Sequence, residues 1–145
     1  MIIVWYFVVI KMDANRFAVD VICHKIQETI DEVNQIESDL MVLEKLAGRL
    51  GRILWFISSD YRELLGKRSQ KICVCLGWTN LIAVNAYVET SMLAPGDDIN
   101  KNKWDQVMEN VSAMQSSARS PKPLIAAIQH GKNEIVRILE LPKEP

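Results

Sequence analysis

Histidine and cysteine, which carry most metal and nucleophile chemistry, are scarce in this chain. There are two histidines (His24 and His130) and three cysteines (Cys23, Cys73 and Cys75) in 145 residues. An odd cysteine count without regular spacing argues against a disulfide framework and for a reducing compartment, so a cytoplasmic location is expected. Cys73-x-Cys75 with Cys23-His24 would supply four ligands, but an adjacent Cys-His pair and a one-residue cysteine spacing do not fit the common zinc patterns. The thiols read instead as buried and inert. A phosphate-cradling glycine loop, a dinucleotide fingerprint, a serine elbow and a paired His-Glu metal motif are all missing. No catalytic residue, metal or cofactor is therefore nominated, and no enzymatic activity is expected. Net charge is also slight, at -1. It excludes a global attraction to nucleic acid or acidic membranes while leaving room for a local basic patch.

What is present is apolar. Hydrophobic residues make up 49% and charged residues 24% of the chain, which excludes extensive disorder. The length suits one domain with a proper core. Residues Met1–Ile10 read MIIVWYFVVI, with no charge before Lys11. A membrane-spanning helix needs roughly 20 apolar residues, so this run is too short, and it lacks the basic start and small-residue site of a signal peptide. Two readings stay open. The run is an extended segment buried in a groove or against a partner, or Met12 is the effective start and the first eleven residues are dispensable. Asn110-Val111-Ser112 fits the glycosylation pattern and, without a secretion signal, reads as coincidence.

The clearest period lies between Ile22 and Leu50. Ile22, Ile26, Thr29, Val33, Ile36, Leu40, Leu43, Ala47 and Leu50 step by four and three, the seam of a helical bundle or coiled coil. Asp13 is placed to cap this helix. Its outer face is mostly acidic, and the helix reads as a bundle helix with one solvated face, the sharper alternative being a dimer seam or a partner-binding surface. Gly48 and Gly51 predict a break near Gly48–Arg52. Asp60 with Glu63 fits the capping box of a short helix that Gly66 would close. Ile72 to Val88 carries no charge and predicts a buried central helix, which Gly77 could split. Pro95-Gly96-Asp97-Asp98 is a turn. An amphipathic helix is expected from about Lys103 to Met114, followed by a polar loop from Ser116 to Pro123.

After that loop, Pro123-Leu124, Ala127, Gly131, Glu134-Ile135-Val136 and Ile138-Leu139 fall in the order and spacing of an ankyrin repeat's helical part. The segment Pro121–Leu141 resembles a single ankyrin-like repeat. Lys122 stands where the family has threonine and Ile125 where it often has histidine. The resemblance covers about 20 residues, whereas roughly three repeats are normally needed for stability. It implies two antiparallel helices joined at Gly131. It also implies a protein-binding surface at the turn and first helix, made of Gln129, His130, Lys132 and Asn133.

The expectation is thus an all-α bundle of about five to seven helices: an apolar segment (1–12), a helical domain (13–115) and an ankyrin-like hairpin (121–145) packed on it. The expected role is non-catalytic protein–protein interaction, as an adaptor or regulator, with another protein as partner. One alternative is self-association into a homo-oligomer through the Ile22–Leu50 seam. The other is a DNA-binding helix-turn-helix over Ile72–Tyr87, with Gly77 at the turn and Thr79 as cap. That recognition helix would hold no Lys or Arg, so nucleic acid is not the expected partner. No membrane span is expected.

Overall fold

The computed structural model describes residues 14–116 and 120–142. The apolar run Met1–Ile10, the expected cap Asp13 and part of the expected Ser116–Pro123 loop lie outside them. The described residues are mostly helical and hold no strand, in the order α1 (Ala14–Ala47), a 3-10 segment (Gly48–Ile53), α2 (Leu54–Ile57), α3 (Ser59–Met92), α4 (Asp98–Ser116) and α5 (Pro121–Ile138). The all-α expectation holds. The expected count of five to seven is not confirmed: among the described residues there are four long helices, with only the four-residue α2 and the six-residue 3-10 segment between the first two.

The difference comes from glycines that do not break helices. Gly66 and Gly77 both lie inside α3, which runs unbroken for 34 residues. The inward stripe Ile72, Cys75, Thr79, Ile82, Ala86 continues across Gly77 at helical spacing, so burial holds the helix together there. The helix-turn-helix geometry is therefore not formed. Nor is the Asp60–Glu63 box: Ser58 is the cap, its hydroxyl accepting from the Tyr61 amide at 3.1 Å.

The same correction applies to α5. Residues Pro121–Ile138 form one helix, not two joined at Gly131. Ile125, Ile128, Gly131, Ile135 and Ile138 make a single buried stripe through the glycine. A Cβ on Gly131 would lie 2.4 Å from Met114 Cε and 2.6 Å from Met114 Cγ. The residue is glycine because α4 and α5 touch there, not because the chain turns. Both Pro121 and Pro123 sit in the first turn, where a missing N–H costs nothing. The helix ends at Ile138 with Leu139 as its cap, and Glu140 beyond it takes φ 54°. The Leu141 amide donates to Val136 O at 2.9 Å and the Glu140 amide to Arg137 O at 3.2 Å, the paired bonds of a Schellman cap.

Other expectations hold. α1 stops at Ala47 and Gly48 takes φ 54°, turning the chain. The turn at Pro95-Gly96 is closed by the Asp97 amide on Ala94 O at 3.1 Å. Asp97 also accepts from the Asn100 amide at 3.3 Å, so α4 starts at Asp98, five residues before the expected Lys103.

The helices form an up-down-up-down bundle. Pairings between α1 and α3 run in opposite directions along the two helices: Asn15 with Glu89, Glu32 with Lys71, Glu37 with Arg68 at 2.7 Å, Glu44 with Tyr61 at 3.5 Å. α4 packs on α3, α5 on α4, and α5 closes against α1. One core joins all four, from Val19, Ile26 and Val33 through Ile82, Trp104 and Val107 to Ile128 and Ile135. The α1 seam fills this core from Ile22 to Leu40, while Leu50 is exposed. α4 and α5 are about half as long as α1 and α3. The α1–α3 hairpin therefore projects past them. From Glu37, which faces the start of α5, to Ala47 is ten residues, about 15 Å of bare hairpin.

Candidate functional site

Of the four residues nominated from the ankyrin resemblance, Gln129, Lys132 and Asn133 lie along α5 where it meets α1, and His130 lies on the same helix. Gln129 is half-buried and donates to Gln27 Oε1 at 2.9 Å and to Asn133 Oδ1 at 3.1 Å. Lys132 is half-buried, and His130 and Asn133 are exposed. They form a strip along a helix rather than a protruding turn, because Gly131 is not a turn. The Gln27–Gln129 bond divides the α1–α5 seam into two shallow clefts. One, of about 260 Å³, is lined by Asp20, Cys23, His24, Lys132, Asn133 and Val136, among others. The other, of about 360 Å³, is lined largely by Ile30, Val33, Asn34, Lys122, Ile125 and Gln129.

The first cleft brings a thiol, an imidazole and a carboxylate together, which invites comparison with a nucleophile site. Electrostatics argue otherwise. Burial pushes the Cys23 thiol up to about 12, with Asp20 adding to the rise and Lys132 opposing it. A thiol in that range is protonated at neutral pH and is a poor nucleophile. His24 Nε2 lies 3.5 Å from Asp20 Oδ1, one turn away on α1. Adjacent residues on a helix diverge by about 100°, so Cys23 and His24 point in different directions. Burial likewise lifts Cys75 to about 11, while Cys73 is exposed. Among the described residues no three His, Cys, Asp or Glu side chains group as metal ligands.

The more distinctive surface is on α3. The sequence predicts that this helix is buried on every side; the described residues cover only half of it. Opposite the inner stripe, Val74 (44% exposed), Leu81 (45%), Val84 (56%) and Val88 (39%) face outward, with Tyr87 and Met92 beside them. Two flanking helices can cover roughly one face of a third, and α1 and α4 take the inner one. Gly77 belongs to the outer row, at the step between Val74 and Leu81, and nothing lies within 4 Å of where its Cβ would be. Its cost to the helix, about 1 kcal/mol against alanine, is not offset by any contact among the described residues. The spacing 74, 77, 81, 84, 88 was the available signal, masked because the inner row is equally apolar.

Among the described residues α3 is also the one helix long and apolar enough to cross a membrane by length and composition, with a mean hydropathy of 1.3 over its most apolar window. Its inner row, however, is engaged with protein. The Thr79 hydroxyl, fully buried, donates to Leu76 O at 2.7 Å and accepts from Gln115 Nε2 at 3.2 Å.

Between residues 49 and 71 the sequence is rich in basic residues (Arg49, Arg52, Arg62, Lys67, Arg68 and Lys71), and the structure separates two groups among them. Arg68 and Lys71 pair with Glu37 and Glu32 across the α1–α3 interface, the internal complementarity expected of packed helices. Arg49 and Arg52 are exposed at the hairpin end and have no ion pair among the described residues. No protein-family model, no curated protein and no solved structure matches the chain.

Proposed function

We propose that this protein is a non-catalytic protein-interaction module, an adaptor or regulator that receives a helical segment of its partner on the outer face of α3. The observation that carries the reading is the uncharged outer row from Val74 to Val88, exposed on a helix whose inner row is already committed to the core. A row at three-and-four spacing presents the holes into which another helix sets its side chains. Gly77 lets a partner backbone approach closely at one point. The raised thiols of Cys23 and Cys75 agree with structural rather than catalytic cysteines.

Self-association is the second reading, now resting on a different surface. The α1 seam is occupied by the chain's own helices as far as Leu40, whereas the α3 row is uncharged and can pair with itself about a two-fold axis. The strip of Gln129, His130, Lys132 and Asn133 supplies a polar contact for a partner on the opposite side of the bundle.

The test compares wild type with Leu81→Glu/Val84→Glu, both sites being exposed so that the fold is kept. Light scattering over a concentration range shows whether a dimer is present and lost in the variant. Differential capture shows whether a specific protein is retained by wild type and released by the variant. If size and captured proteins are both indifferent to the two glutamates, the α3 face is not a docking surface.

A further inference from the structure

The far end of the α1–α3 hairpin combines exposed apolar and aromatic side chains with unpaired positive charge. Leu46 is 79% exposed, Leu50 54%, Trp55 56%, Phe56 73% and Ile57 56%. From Lys45 to Ser59 the chain has three basic residues, Lys45, Arg49 and Arg52, and no acidic one. None of the three is ion-paired among the described residues, although the same chain pairs Arg68 and Lys71 a few turns away. The nearest acids, Glu44 and Asp60, flank the run rather than enter it, and Glu44 accepts a bond from the Tyr61 hydroxyl at 3.5 Å.

This end is also built rather than frayed. Gly48 reverses direction at φ 54°. Leu54 is 5% exposed and anchors α2 to the hairpin. The Arg62 guanidinium donates to the carbonyls of Trp55 and Phe56 at 2.7 and 3.2 Å, fixing the two aromatic residues in place. Their rings meet edge to face with centroids 5.3 Å apart. The apolar side chains are thus held outward on a rigid support that stands about 15 Å clear of α4 and α5.

We propose that this tip docks on an anionic lipid surface. Trp55, Phe56 and Ile57 enter the headgroup boundary while Lys45, Arg49 and Arg52 lie against the lipid phosphates and carboxylates. Charge complementarity selects this occupant. A purely apolar partner gives no role to three unpaired cations, and a negatively charged surface with an apolar layer beneath it uses both features. Tryptophan is the side chain that best fits such a boundary, one end apolar and one polar. The proposal is independent of the α3 face, which carries no charge.

The experiment is flotation of the full chain with phosphatidylcholine vesicles and with vesicles containing phosphatidylserine at three parts in ten, as salt is raised. Expected is binding to the anionic vesicles, weakened by salt, with a blue shift of tryptophan emission. Arg49→Glu/Arg52→Glu reduces binding at least about tenfold. Trp55→Ser/Phe56→Ser removes the emission shift, while both variants keep the wild-type circular dichroism and Tm. Leu81→Glu/Val84→Glu binds vesicles as wild type does. Three results overturn the proposal: no binding to anionic vesicles at low salt, equal binding to neutral and anionic vesicles, or tip variants that bind as wild type does. The first, with an acidic protein captured through Arg49 and Arg52, assigns the tip to a protein groove instead.

Discussion

Gly131→Ala tests the packing of α5 most sharply, because three explanations of that glycine give different outcomes. In the structure an added Cβ meets Met114 Cε at 2.4 Å, Cγ at 2.6 Å and Sδ at 3.1 Å, against a comfortable carbon–carbon separation of about 3.5–4.0 Å. The Cε end can swing away. Cγ lies near the backbone and moves only if Met114 changes rotamer or the helices part. Met114 is fully buried, so neither is free. Overpacking of this kind costs about 1–3 kcal/mol, and alanine recovers about 1 kcal/mol of helix propensity. The net expectation is a loss of about 1 kcal/mol, or about 3 °C in Tm. Gly66→Ala and Gly77→Ala provide the contrast. Both glycines are helical with open space around the missing Cβ, so each substitution raises stability by about 0.5–1 kcal/mol. Urea unfolding followed by circular dichroism at 222 nm ~ the helical band ~ reads all three against a common slope. The decisive arm is Gly131→Ala in a Met114→Ala background. If close packing is the reason for the glycine, the alanine there becomes stabilising by up to about 1 kcal/mol. If Gly131 were a left-handed turn residue, the penalty would persist without Met114. If it were an ordinary exposed glycine, Gly131→Ala would stabilise wild type as Gly77→Ala does. Either result refutes the packing argument.

Other expectations follow from single residues. Glu140 holds φ 54° at the α5 cap, which costs an L-residue about 1–2 kcal/mol, so Glu140→Gly stabilises by roughly 0.5–1 kcal/mol after glycine's own entropy cost, read in the same urea titration. Native thiol labelling at neutral pH modifies Cys73 quickly, and Cys23 and Cys75 only on unfolding; fast labelling of Cys23 would contradict its burial. Because folding raises the Cys23 and Cys75 thiols from 9.0 to about 12 and about 11, their contribution to stability is complete below pH 9 and is lost as pH rises towards 12. Cys23→Ala/Cys75→Ala therefore shows a shallower alkaline loss of stability than wild type, measured by Tm between pH 8 and pH 11.

Much of the architecture can be read from residue spacing. The α1 row from Ile22 to Leu40, the break at Gly48, the turn at Pro95-Gly96 and the Trp104, Val107, Val111 row of α4 all appear where their patterns put them. The expected helix breaks at Gly66, Gly77 and Gly131 share one cause, the reading of glycine as punctuation. At Gly48 and Gly96 the backbone does take positive φ. At Gly131 and Gly77 the isoleucine and mixed rows continue through the glycine, and that continuity outweighs the local cost. The ankyrin-like spacing of Pro121–Leu141 coincides with a single amphipathic helix because both need apolar residues at three-and-four steps. The outer face of α3 was hidden for a different reason. A helix that is apolar all round carries no pattern saying which side its neighbours cover, so only the packing of α1 and α4 separates the inner row from the outer one. The basic tip is legible as charge, but its segregation from Arg68 and Lys71 depends on where the α1–α3 ion pairs form.

The central claim is that α3 offers one face to the core and the other to a partner. Single cysteines placed along α3 in a Cys23→Ala/Cys73→Ala/Cys75→Ala background test it directly, through their rates of modification in the isolated protein. The account predicts fast labelling for Leu81→Cys, Val84→Cys and Val88→Cys and slow labelling for Thr79→Cys, Ile82→Cys and Ala86→Cys, alternating along the helix. Uniformly slow labelling at all six positions would show that the outer face is already covered, and would contradict it.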